Sequence, residues 1–274
     1  MLTPPTGTLA GVSTSYRHSG LDIPVQLIRL TGQSSPDAYD ETTRAQMVQL
    51  ERRGLLRPDL AVLDIGCGFG RIGIELGEVL GADGSYIGID IIKPSIDWAR
   101  EHLTRERPSF RFEHLDIADK LHNAGGSVDG DTVRLPVDDG SIDLVIMMSV
   151  FTHMLPTTLS HYLHETARVL KPGGRALTTC FLYDRPTLRA ARTTDLSEWH
   201  LFFPHRHGRG CRFNDTEYPT GAVAYTQRHI TRMATAAGLG LVEPPSRGNW
   251  SGAHPGAPDF QDALCLERPA SGGS

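Results

Sequence analysis

With 274 residues, 39% of them hydrophobic and 22% charged, the chain has the composition of a soluble globular protein and is too apolar for wholesale disorder. A net charge of -5 leaves no global basic field, so neither nucleic acid nor an anionic membrane surface is an expected partner. The cysteines Cys67, Cys180, Cys211 and Cys265 form no C-x-x-C pair, which disfavours a zinc knuckle or redox motif and fits a reducing cytoplasm.

The first residues, MLTPPTGTLAGVSTSYRHSG, show no basic-then-apolar leader, and no membrane-length apolar run follows anywhere, so secretion and membrane spanning are not expected. Up to Ser35 the chain is rich in Thr, Ser, Pro and Gly around one apolar run, Ile23 to Leu30, and its first part is expected to be mobile. From Pro36, the mostly helical spacing of Tyr39, Met47, Leu50 and Leu55, with Gly54 near the end, predicts an amphipathic cap helix.

The runs AVLDI, SYIGIDI, FRFEHLDI, IDLVIMMSV and RALTTCFLY read as short strands, divided by RIGIELGEVLG, PSIDWAREHL and LSHYLHETARVL at helical spacing. Continuously apolar strands alternating with helices imply βαβ units and a parallel sheet covered on both faces, a doubly wound α/β fold. The insert IADKLHNAGGSVDGDTVRLPVDDGS reads as punctuation. The long stretch Asp184 to Tyr225, with Trp199, Phe202, Phe203, histidines and arginines, reads as a lid over the C-terminal edge of the sheet. TQRHITRMATAAG predicts a helix, LGLVEP and DALCLERP a closing antiparallel pair, and ASGGS a disordered tail. The expected division is 1–58 as N-terminal segment and cap, 59–268 as the main domain with a lid at about 184–225, and 269–274 as tail.

AVLDIGCGFGRIGIEL joins a strand, a glycine turn and a helix, a cradle for an anion or nucleotide. The dinucleotide fingerprint would need glycine where Arg71 stands, and no G-K-[ST] follows. The pattern is D-x-G-x-G-x-G, Asp64 through Gly66, Gly68 and Gly70. A carboxylate at a strand tip repels pyrophosphate but favours an ammonium or sulfonium, so a ligand with positive charge near the first strand is expected. Asp90 closes YIGID, where an acid accepts from ribose hydroxyls. Asp116 closes HLD, where a carboxylate can accept from an exocyclic amine such as that of adenine.

This set resembles the class I S-adenosylmethionine-dependent methyltransferases, by motif over roughly Ala61 to Tyr183 and by element order over most of the rest. The pieces are VLDIGCGFG, YIGID, LPVDDGSIDLVIMMSVFTHM and RVLKPGGRALTT. SVFTHM, GNWSG and FQDALCL are similar to bacterial members associated with glycan or secondary-metabolite pathways. The resemblance implies a Rossmann-like seven-stranded sheet in the order 3-2-1-4-5-7-6, strand 7 antiparallel, with helices on both faces. It implies S-adenosylmethionine as cofactor, S-adenosylhomocysteine as product, and cofactor contacts at Asp64, Gly66, Cys67, Gly68, Gly70, Asp90, Ile91, Asp116, Ile117 and Ser149. Tyr16, Arg17 and Tyr39 lie in segments that commonly cap the cofactor in this fold, and Arg71 could reach the cofactor carboxylate or simply lie exposed.

Methyl transfer from a sulfonium is an in-line displacement for which the protein positions reactants and excludes water. A base helps an alcohol more than an amine or thiolate. His153 in SVFTHM is the candidate base, with a helix-start or pocket-wall residue as the alternative. Tyr183, His205, His207, Tyr225 and Trp250 are candidate substrate contacts, the aromatic residues equally being core. The H-x-H spacing of His205 and His207 brings no carboxylate partners, and no metal is assigned. The expectation is a cytoplasmic enzyme that methylates a hydroxyl of a small molecule, sugar-containing or a natural-product intermediate. N- or S-methylation of a small metabolite, and a non-catalytic cofactor-binding protein, stay open.

Overall fold

The computed structural model describes residues 14–194 and 200–270. The expected mobile start, the part of the lid that includes Trp199, and the end of the tail lie outside the described residues. At the N-terminal side, β1 (Ser15–His18) and β2 (Leu21–Pro24) form a hairpin. Its two-residue loop puts Ser19 and Gly20 at φ +47° and +82°, the left-handed pair that matches strand twist. The apolar run Ile23 to Leu30 is thus split between β2 and α1 (Val25–Leu30). In α2 (Pro36–Arg52), Ser35 caps the Ala38 N–H and Pro36 opens the first turn. Its inner face, Tyr39, Thr43, Gln46 and Leu50, repeats at helical intervals and packs toward the main sheet.

The alternation then runs β3 (Ala61–Ile65), α3 (Arg71–Leu76), β4 (Ser85–Asp90), α4 (Lys93–Ala99) with a π turn at Arg100–Thr104, β5 (Phe110–His114), β6 (Ile142–Met147), α5 (Pro156–Val169) and β7 (Leu170–Leu182). After it come α6 (Arg185–Ala191), β8 (His205–Arg206), β9 (Cys211–Phe213), β10 (Val223–Tyr225), α7 (Gln227–Ala236), β11 (Gly240–Leu241) and β12 (Asp262–Glu267). Strands β5, β4, β3, β6 and β7 pair in that order, all parallel. β12 is antiparallel to β7 and carries β11 on its outer side. Neighbours along a strand serve opposite faces: Leu63 and Val145 pack into one apolar layer, Val62 and Leu144 into the other. Both faces being covered is why the strands read as unbroken apolar runs.

The stretch read as a lid is partly an extension of the sheet. β10 pairs parallel with the last two residues of β7, and β9 and β8 follow antiparallel. β7 changes partner along its length, from β12 at Arg175–Cys180 to β10 at Phe181–Leu182. Buried Asp262 sits at that switch. It accepts from the Leu182 N–H at 2.6 Å, the Gly248 N–H at 3.0 Å and the Trp250 indole N–H at 2.8 Å, and pairs with Arg247 at 2.9 Å. The insert after β5 is irregular but docked on α5. Thr158 donates to Asp131, His161 bonds the Val133 carbonyl, and Glu165 accepts from the Leu135 N–H.

Candidate active site

The glycine turn between β3 and α3 needs its glycines for two reasons. Gly66, Gly68 and Gly70 stand at φ +76°, +57° and +90°, a region that side chains rarely adopt. A Cβ on Gly66 would also lie 2.5 Å from the Val150 side chain, and one on Gly70 2.6 Å from Leu103. The turn is sewn to the end of β4: the Gly66 and Cys67 N–H groups donate to the Ile89 carbonyl at 2.8 and 3.1 Å. Asp90 accepts from the Gly68 N–H at 2.7 Å through Oδ2 and from the Ile92 N–H at 2.8 Å through Oδ1. Burial raises the Asp90 pKa, and these two donors and nearby His122 oppose the rise. The Cys67 thiol is buried and its pKa pushed well up, so it is no nucleophile.

Asp64 does not face outward from its strand tip. It is 2% exposed and accepts the Tyr86 hydroxyl at 2.6 Å beneath the turn. Burial pushes its pKa up to about 7, against the Tyr86 hydrogen bond and the charge of Arg71. The expected direct counter-ion for a cationic ligand is therefore a buried carboxylate packed under the cradle, its pKa raised by desolvation. Beside it, Arg71 has Nη1 buried with no partner, and so does the Tyr39 hydroxyl. Tyr39 stacks on Phe69 of the turn at 5.8 Å.

The N-terminal hairpin closes over these groups. Tyr16 donates to Asp40, and His18 bridges Asp40 at 3.3 Å and Glu75 of α3 at 2.7 Å. Thr31 leans on the turn: a Cβ on Gly68 would meet its Cγ2 at 3.1 Å.

Residues 63–178, which contain this cradle and the ends of all five parallel strands but the last, match the family described as a methyltransferase domain. The fold around these residues is that of S-adenosylmethionine-dependent methyltransferases. An arsenite methyltransferase of Aquipseudomonas alcaligenes is 32% identical over 44% of this chain and 34% of its own length. A demethylmenaquinone methyltransferase of Lactococcus lactis is 32% identical over 47% of this chain and 44% of its own. The chain thus spans less than half the length of these curated relatives. A Burkholderia thailandensis 1,6-didemethyltoxoflavin-N1-methyltransferase, solved with S-adenosylhomocysteine, has the same fold: TM-score 0.54 and 16% identity over 89% of this chain and 86% of that one.

The cradle of the methyltransferase domain fits its cofactor. A turn without side chains lets a nucleoside approach, and the orphaned Arg71 Nη1 and Tyr39 hydroxyl suit the carboxylate of an amino-acid moiety. Ile91 follows Asp90 at the cradle's edge, half-buried. Asp116 already serves the insert, accepting from Asn123 at 3.0 Å and from the Ser127 hydroxyl at 2.8 Å, which lowers its pKa. Ile117 donates its N–H to the Leu115 carbonyl. Ser149, two residues past β6, stands at φ +61°, held by its N–H to the Thr179 hydroxyl at 2.7 Å and its own hydroxyl to Gln261 at 3.1 Å. Such a strained non-glycine residue, fixed by its neighbours, is a feature of functional sites.

On the other side of Ser149, His153 hydrogen-bonds the Thr220 carbonyl through Nδ1 at 2.9 Å. A carbonyl only accepts, so Nδ1 carries the proton and Nε2 is left with its lone pair. Burial lowers the His153 pKa, and His122 lowers it further. The His122 ring stands edge-on to His153 at 5.5 Å, with Nδ1 2.9 Å from Asp119. That hydrogen bond raises the His122 pKa, while Asp119 is held down at about 2 by it and by backbone donors despite burial. The sequence reading missed Asp119 and His122. Their D-x-x-H spacing inside a Gly- and Asp-rich insert is the signal that could have flagged them.

Three of the aromatic candidates separate. Trp250 is 3% exposed, its indole bonded to Asp262 and its ring packed on Phe181 and Phe203. Tyr225 is fully buried, with its hydroxyl on the Met154 carbonyl at 2.6 Å. Both are core residues, correcting the substrate reading. Tyr183, in contrast, lines an open cavity with Arg212 stacked on its ring at 5.5 Å. His205 stacks on Phe213 and His207 is exposed, and neither lines that cavity. Among the described residues no three His, Cys, Asp or Glu side chains group as for a metal. No helix among the described residues is long and apolar enough to cross a membrane.

Proposed function

We propose that the chain methylates a hydroxyl of a small molecule, a sugar-containing or natural-product intermediate, with His153 as general base. When bound, S-adenosylmethionine supplies an electrophilic methyl on a positively charged sulfur. In this reading Asp90 accepts the ribose hydroxyls with the lone pairs its backbone donors leave free. Asp116 and Ile117 border the base, Arg71 and Tyr39 bind the carboxylate, and Ser149 borders the reacting methyl. The cap hairpin excludes water.

The observation that carries the hydroxyl assignment is the pair of imidazoles. His153 is tuned toward neutrality with Nε2 free, and His122 toward the cation. Neighbouring titratable groups pushed in opposite directions are the mark of acid–base work, and an alcohol is the nucleophile that must lose a proton. In the proposed step Nε2 of His153 takes that proton.

Calorimetry with S-adenosylhomocysteine tests the cofactor half. Wild type binds, and Asp90→Ala weakens binding by about tenfold or more, since hydrogen bonds to a charged group are lost. Absence of binding by wild type overturns the reading. With candidate acceptors and detection by product mass, His153→Ala lowers kcat by about a hundredfold or more. Because burial lowers the His153 pKa, the base form predominates at neutral pH, and kcat/KM falls as pH drops through that lowered value. An acceptor whose methylation is indifferent to His153→Ala at every pH shifts the reading to N- or S-methylation.

A further inference from the structure

Beyond the end of β7 lies a cavity of about 470 Å³ whose charge opposes that of the molecule. Arg185, Arg206, Arg209 and Arg212 all line it, in a chain whose net charge is -5. The one carboxylate in the wall, Asp184, is engaged in capping α6, accepting the Thr187 N–H at 2.9 Å. Arg212 donates to the Phe203 and Pro204 carbonyls and stacks on Tyr183. Arg185, Arg206 and Arg209 are exposed, and none has a carboxylate partner among the described residues.

The arginines are held together by construction. Arg206 and Arg212 are direct cross-strand partners in the β8–β9 ladder, and like charges at such positions destabilise a sheet. The turn between them is fixed by Gly208 and Gly210 at φ +66° and +85°, and a Cβ on Gly210 would lie 2.7 Å from the His229 side chain of α7. Gly210 packed against α7 and β9 paired to β10 hold the hairpin in place against that repulsion. A sequence that keeps such a conflict is expected to offset it at a functional site.

We propose that this cavity is an anion subsite that takes a phosphate or diphosphate group of a small molecule. One guanidinium suffices for a carboxylate, in a bidentate pair, whereas several converging on one space match a group with several charged oxygens. The Tyr183 hydroxyl adds a neutral donor. Tyr183 and Thr226 directly follow the C-terminal ends of β7 and β10, which run parallel, and that edge is where open α/β sheets take their ligands. The cavity's volume of about 470 Å³ is of the size that small-molecule sites have.

The test uses the full chain and calorimetry with pyrophosphate and with inorganic phosphate. Pyrophosphate binds more tightly than phosphate, binding weakens as salt rises, and Arg206→Gln with Arg209→Gln reduces pyrophosphate affinity by about tenfold or more. S-adenosylhomocysteine binding stays unchanged in that variant. A thermal melt checks that the doubly substituted chain is folded, and Arg185→Gln, at an exposed position without a carboxylate partner among the described residues, gives the same test independently. No pyrophosphate binding by wild type, or undiminished binding by the variants, overturns the subsite. A single-stranded oligonucleotide binding tighter than pyrophosphate also overturns it, in favour of a polymer-binding face. Pyrophosphate binding without S-adenosylhomocysteine binding leaves the subsite standing and removes only the methyltransferase reading.

Discussion

Asp64 shows how far a residue's surroundings can differ from what its place in the chain suggests. Its position at a strand tip before a glycine turn was legible, and so were Asp90 and Asp116 at the ends of the next two strands. Which way each carboxylate points was not, because direction depends on which face of β3 and β4 the tip residue serves. Asp64 shares its face with Tyr86, and the ring of Tyr86 fits only because Gly73 of α3 leaves room: a Cβ there would stand 2.9 Å from the ring. The buried acid makes stability pH-dependent in a definite sense. Its folded pKa of about 7 exceeds the ordinary 3.8, so the folded state keeps a proton that the unfolded chain releases. The stability contributed by neutral Asp64 is complete below about pH 4 and is lost as pH rises through about 7. Urea titrations should show wild type losing stability relative to Asp64→Asn between those values and no further change above them. A difference that does not vary with pH would show that Asp64 is ionised throughout.

Among the elements, β7 is the one whose behaviour the sequence hides. The five parallel strands and their helices are legible because burial on both faces leaves unbroken apolar runs. β8, β9 and β10 are not, since two or three residues cannot display a period, and their pairing depends on a strand some forty residues earlier. The switch of β7 from β12 to β10 is pinned by Asp262, on which Leu182, Arg247, Gly248 and Trp250 converge. Asp262→Ala strands the Leu182, Gly248 and Trp250 N–H donors and removes the partner of half-buried Arg247, a change that costs about 3–5 kcal/mol in all. Chemical denaturation should register that loss, and the aromatic cluster of Phe181, Phe203 and Trp250 should lose its fixed environment, seen as reduced near-ultraviolet circular dichroism. The same junction explains the misreading of Trp250, since an aromatic residue in a Gly-rich loop looks like a pocket wall until its indole partner is known.

At the scale of the molecule, the cofactor half and the arginine-lined half are attached to the sheet in different ways. The β8–β10 extension is joined to β7 by ladder pairs, whereas the hairpin reaches α2 and α3 through Tyr16 and His18, and Thr31 after α1 rests against the glycine turn. The overall acidic charge, which argued against polyanions, gave no hint of the local reversal in the cavity, because a sum over the chain says nothing of where the arginines gather. The cap has a kinetic consequence. Opening the arginine-lined end would cost ladder hydrogen bonds, whereas lifting the cap breaks the Tyr16 and His18 contacts and exposes buried Ile23, Leu27 and Ile28. Under the proposed function, residues 15–31 must lift for spent cofactor to leave, so the interval between one turnover and the next would carry the cost of exposing that apolar surface.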